Sequence, residues 1–177
     1  MKARVLLVVS LCALLPATAM SQALTNLASV RVGYTSRKNT VKPQGELKAQ
    51  IDALDAQIDE SRIYLMGHSM GAIGTWKIAP KYPDIWAALA PISGYGAAAT
   101  LEKIRSVPEI IVHGDADPTV AVSGSRTMVA KLKELGVEFK YIEVPGGLHS
   151  DVVAPNIPAI VEFFDAHKKT VKPTSQP

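Results

Sequence analysis

The sequence predicts an α/β fold, a mostly parallel sheet of about four or five strands with helices on both faces. Three observations carry that expectation. From Ser61 onward, short apolar β-prone runs alternate with helix-period segments, the pattern of parallel strands joined by helical crossovers. Gly67-His68-Ser69-Met70-Gly71 stands between one such run and one such segment. Two later apolar runs lead directly into loops that carry Asp117 and His149.

In chain order, Met1 to Ala23 reads as an export leader. Lys2 and Arg4 form a positive start, Val5 to Leu15 an apolar core, and Ala17-Thr18-Ala19 a small-x-small cleavage site, with Ser21-Gln22-Ala23 as a second. The apolar run is short of the ~20 residues that a membrane span needs, so no stable membrane insertion is expected after cleavage. Residues 24–60 form an N-terminal segment. In it Val30, Val32 and Tyr34 alternate as one short strand, and Leu47, Ile51, Leu54 and Ile58 mark one face of a helix over Gly45 to Asp59.

Residues 61–168 carry the regular alternation. Ile63 to Met66 is the first strand, and Gly71 to Lys81 a helix that ends at Tyr82-Pro83. Trp86 to Ile92 and Glu109 to His113 are the next strands. Gly124 to Leu135 is an amphipathic helix closed by Gly136, a usual C-cap residue. Glu138 to Val144 is the fourth strand, and Pro155 to His167 the closing helix. Residues 169–177, with Pro173 and Pro177, read as a flexible tail.

Composition excludes several classes of function. A chain of 177 residues with 47% hydrophobic and 20% charged residues fits one globular domain. The formal charge of +3 falls to +1 without Lys2 and Arg4, and no basic stripe suits nucleic acid. The single cysteine, Cys12, lies in the leader, which removes thiolate nucleophiles and cysteine-ligated metals from the rest. The histidines lack zinc-site spacing.

A serine hydroxyl is a weak nucleophile at neutral pH and needs a base, which a carboxylate must orient. In an elbow between strand and helix, Ser69 would be that nucleophile, and Met70 N–H a backbone donor for the developing oxyanion. His113-Gly114-Asp115-Ala116-Asp117-Pro118 and Pro145-Gly146-Gly147-Leu148-His149 follow the third and fourth strands, where α/β sheets place their sites. The order Ser69, Asp117, His149 is the one found in nucleophile-elbow hydrolases. Asp115 is the rival acid, disfavoured by its spacing to Pro118 and Val120, and Asp151 lies on the wrong loop. His68 and Tyr95 are candidate substrate-pocket residues; His113 is read as structural, His167 as a solvated helix end, and Trp76 and Trp86 as core aromatics.

The stretch from Arg62 to Lys168, roughly three-fifths of the chain, resembles the C-terminal part of α/β hydrolases. The group is that of dienelactone hydrolases and prolyl-oligopeptidase-like enzymes, with exported esterases and polyhydroxybutyrate-depolymerase-like proteins beside them. The resemblance rests on Gly67 to Gly71 with Gly74-Thr75-Trp76, and on Tyr82-Pro83-Asp84 and Ala90-Pro91-Ile92-Ser93-Gly94. His113 to Pro118 and Gly147-Leu148-His149 complete it. It implies a serine carboxylesterase acting on a small-molecule ester without a cofactor, exported to the periplasm or medium. It also implies Ser69 as nucleophile, Asp117 as acid and His149 as base. A prolyl-oligopeptidase-type peptidase is the alternative. Ala72 replaces a glycine usual in the group. The larger departure is an N-terminal half too short to hold the usual early strands and the loop that supplies a second oxyanion donor. An internal deletion near Asp59-Glu60, leaving an impaired hydrolase, is the further alternative.

Overall fold

The computed structural model of the chain describes residues 3–10, 27–31 and 58–170. Six strands form one sheet: β1 (Ala3–Ser10), β2 (Leu27–Arg31), β3 (Ile58–His68), β4 (Ala88–Ile92), β5 (Glu109–Gly114) and β6 (Phe139–Val144). Their order is β2-β1-β3-β4-β5-β6 and every pairing is parallel. Among the described residues three helices connect or close them, α1 (Met70–Ile78), α2 (Ser123–Leu135) and α3 (Val153–Ala166). The predicted class holds, and the described residues carry six strands where four or five are expected.

The extra strand comes from the stretch read as a leader. Ala3–Ser10 pairs with β2 on one side and β3 on the other, from Val5 opposite Ile63 to Ser10 opposite His68. A leader's apolar core and a strand buried on both faces ask for the same composition, so the sequence serves either. The predicted helix over Gly45 to Asp59 lies outside the described residues except at its end, where Ile58 and Asp59 open β3. There Asp59 Oδ1 accepts from Ser61 N at 3.1 Å and Ser61 Oγ at 2.6 Å, a local turn at the irregular stretch of the β1–β3 ladder. Lys169, expected to open a flexible tail, is held by Ser61 O at 2.9 Å through its own N–H. Residues 171–177 of that tail lie outside the described residues.

Alternation along β3, β4 and β5 divides the core in two. Tyr64, Met66, Ala88, Ala90, Ile110 and Val112 face α3, which contributes Ile160, Phe163 and Phe164. Tyr64 and Phe164 stack with ring centroids 4.5 Å apart. Leu65, Leu89 and Ile111 face the other way, onto Trp76 of α1 and Met128 and Leu132 of α2. A short 3-10 stretch, Ala98–Ile104, seals that side with fully buried Leu101 and Ile104. It has too few residues for a readable helical period. Gly136, at φ 68°, ends α2 in the left-handed conformation that a residue with a Cβ resists.

Glu109, at the start of β5, is fully buried, and its Oε2 accepts from Trp76 Nε1 at 2.8 Å. Burial pushes its carboxyl up to about 8, against the smaller effect of the Trp76 bond, so it stays protonated at neutral pH. A raised folded value gives stability that is complete below the unfolded pKa of about 4.3 and lost as pH rises toward 8. Glu109→Gln keeps an acceptor for Trp76 without the proton. It is expected to remove that decline and raise stability at pH 8 by about 2–4 kcal/mol, measured by urea melts at pH 5 and pH 8.

Candidate active site

The site is built where β3 turns into α1. Ser69, between them, adopts φ 58° and ψ −119°, conformational strain that the surroundings must hold in place. Ser69 N–H donates to Ile92 O at 2.9 Å, and Ser69 O accepts from Ala72 N and Ile73 N. A Cβ on Gly67 would lie 2.2 Å from Gly71 O, so the first glycine of the motif is required by the tightness of the turn. Met70 is the first residue of α1 and its N–H has no intrahelical acceptor to find. Its side chain is exposed.

The loops after β5 and β6 bring the other two residues to Ser69. His149 Nε2 lies 2.8 Å from Ser69 Oγ, and His149 Nδ1 lies 2.7 Å from Asp117 Oδ2. Asp117 Oδ1 accepts from Thr119 N at 2.8 Å and Val120 N at 2.9 Å, and its side chain is shielded from solvent. Burial raises the Asp117 pKa, but the backbone bonds and the His149 bond together outweigh it and hold the carboxyl below its ordinary value. The two loops are locked in contact. A Cβ on Gly114 would sit 2.1 Å from Gly147 O.

The rival acid has other work. Asp115 Oδ1 accepts from Gly146 N at 2.6 Å, tying the acid loop to the base loop, and Asp151 Oδ1 accepts from Leu148 N. His113 is buried; its Nε2 donates to Val120 O at 2.9 Å and its Nδ1 lies 2.7 Å from Ser125 Oγ. His167 is no free helix end. Its ring packs on Phe163, and its Nε2 lies 3.0 Å from Glu138 Oε1. Trp76 and Trp86 are both core residues. Tyr95 is 52% exposed and lines a cleft beside α1 with Ile73 and Trp76. Among the described residues, no three His, Cys, Asp or Glu side chains are placed to hold a metal.

Two side chains act on His149 from behind. His68 Nε2–H donates to His149 O at 2.8 Å, and Ser93 Oγ donates to the same oxygen at 3.0 Å. Burial lowers the His68 pKa, favouring the neutral ring. Ser93 is fully buried, adopts φ 52° and donates its N–H to Val112 O. The sequence places Ser93 in the Ala90-Pro91-Ile92-Ser93-Gly94 motif but does not show its role, because a serine after a strand gives no hint of which carbonyl it will meet. Removing its hydroxyl leaves His68 as the remaining side-chain donor to that oxygen. Ser93→Ala is therefore expected to lower kcat about tenfold with KM little changed, as read by steady-state ester hydrolysis.

A family model described as PETase, PET hydrolase-like, matches residues 20–168. The chain belongs to the PET hydrolase-like family. Cutinase 2 of Thermobifida cellulosilytica is 33% identical over 106 residues, which cover 60% of this chain and 38% of that one. The crystal structure of a thermostable esterase superposes with a TM-score of 0.61 at 31% identity, over 72% of this chain and 38% of the other. Est1E from Butyrivibrio proteoclasticus gives a TM-score of 0.67 over 93% of this chain and 89% of its own. Its 17% identity speaks for the fold alone. The resemblance to α/β hydrolases therefore stands, and within them the match falls on PET hydrolase-like proteins. This PET hydrolase-like chain spans well under half the length of the cutinases it matches.

Proposed function

We propose that the chain is a serine carboxylesterase that cleaves small-molecule esters through an acyl-enzyme. The observation that carries this reading is the continuous path from Ser69 Oγ through His149 to Asp117, at 2.8 and 2.7 Å, on a strained elbow. His149 Nε2 takes the Ser69 proton as Oγ attacks the ester carbonyl, while Nδ1–H stays bonded to Asp117. The tetrahedral oxyanion faces Met70 N–H and the positive end of α1. The imidazolium then returns its proton to the leaving alkoxide. His149 next activates water for deacylation, which frees the acid and restores Ser69. No step calls on a cofactor. His68, on the elbow, and Tyr95, on the cleft beside α1, are the residues we assign to substrate contact.

Relatives named as cutinases and a thermostable esterase support an ester over an amide. Export belongs to the same reading: the family match begins at Met20, directly after Ala17-Thr18-Ala19. Cleavage there removes β1, so the six-stranded sheet describes the uncleaved chain. The mature form keeps β3 to β6, whose ends and loops carry Ser69, Asp117, His149, His68 and Ser93.

The test is a paired assay of a p-nitrophenyl ester and the p-nitroanilide of the same acyl group. Turnover of the ester with little of the anilide is the expected result. A preference for the anilide would move the protein to the peptidases.

A further inference from the structure

Beside α1, on the sheet face opposite α3, lies an open cleft of about 590 Å³, a volume suited to a small organic ligand. Its walls include Ile73, Trp76 and Tyr95, and Lys77, Lys81 and Lys103 stand around them. Lys77 and Lys81 are four residues apart along α1 and the turn that continues it, so they share one face and repel. Lys103 is brought to them from the separate 3-10 stretch. Among the described residues none of the three has an acidic partner. By contrast, Arg105, Arg126 and Lys131 are paired with Glu102, Glu143 and Glu134. A helix-end position accounts for each lysine separately. It does not account for three uncompensated cations converging on one apolar cleft.

We propose that this cleft binds a carboxylate with an apolar body, its head on the three lysines and its body on Ile73 and Tyr95. No triad residue lines the cleft, yet it adjoins the reaction site: Ile73 N–H donates to Ser69 O, so the cleft begins one helical turn beyond the nucleophile, and Tyr95, assigned above to substrate contact, forms part of its wall. The ligand class is that of the acid released by ester hydrolysis. This link rests on the esterase reading; the binding itself does not.

Calorimetric titration of the Ser69→Ala chain with decanoate, below its micelle concentration, tests the site without turnover. One-to-one binding with a Kd of about 1 mM or tighter is expected, weakened about tenfold by the double change Lys77→Gln and Lys103→Gln and weakened again by high salt. Tyr95→Ala, which keeps every charge, is expected to weaken decanoate as well. Decanol should be indifferent to the lysine changes, and decyltrimethylammonium should bind poorly. No saturable decanoate binding, equal affinity in the lysine variant, or equal binding of the ammonium analogue would overturn the proposal. Decanoate binding by a chain whose wild type hydrolyses no ester would leave the site standing and remove its link to the reaction. Ester turnover without decanoate binding would leave the esterase reading standing and remove the site.

Discussion

Replacing Ser69 by alanine is expected to lower ester turnover by about 10⁶-fold, with His149→Ala costing as much and the double variant little more. The reason is that in the proposed mechanism the two side chains act as one unit. Ser69 Oγ without His149 has no base at 2.8 Å, and His149 without Ser69 has no proton to take in acylation. Neither change should unfold the chain. The elbow is held by backbone bonds of Ser69 to Ile92, Ala72 and Ile73, which alanine retains, although it meets the same positive φ. Parallel kcat measurements and thermal melts check both parts. Losses that multiply in the double variant would mean that the two residues act separately.

Asp117→Asn is expected to cost about 10⁴-fold in kcat with the fold intact. The geometry dictates which way the new amide must point. Thr119 N–H and Val120 N–H both donate to Oδ1, so that position has to remain an oxygen. The amide nitrogen then occupies the Oδ2 position and donates to His149 Nδ1. This drives the imidazole proton to Nε2, facing Ser69 Oγ, where a base must be unprotonated. The same carboxylate also leaves a trace in stability. Because its folded pKa is lowered, its contribution is present above the unfolded value of about 3.9 and lost as pH falls through the folded one. The Asp117→Asn variant would lack that acid-side decline. Steady-state rates at pH 8 and urea melts between pH 3 and pH 6 measure the two effects.

The C-terminal part of the fold was legible because each apolar run there ends in turn chemistry, and because Gly67, Gly136 and Gly147 mark places where backbone geometry admits little else. The candidate triad was legible for a related reason: its three members occupy loops at the ends of strands. What the sequence hid is of two kinds. Ala3–Ser10 has a composition that suits a leader and a buried strand equally, and pairing alone distinguishes them. Ser93, Glu109 and the lysine-rimmed cleft depend on contacts between residues far apart in the chain, which no local pattern encodes. Ser93 meets His149 across 56 positions, and Glu109 meets Trp76 across 33.

The most direct test of the central claim is reaction of the exported protein with a fluorophosphonate, read by intact mass and peptide mapping. The account predicts one adduct per chain, on Ser69, in a protein that starts at Met20 or Leu24, with labelling lost in His149→Ala. A protein that unfolds cooperatively yet takes up no label, or takes it up elsewhere than Ser69, would contradict it.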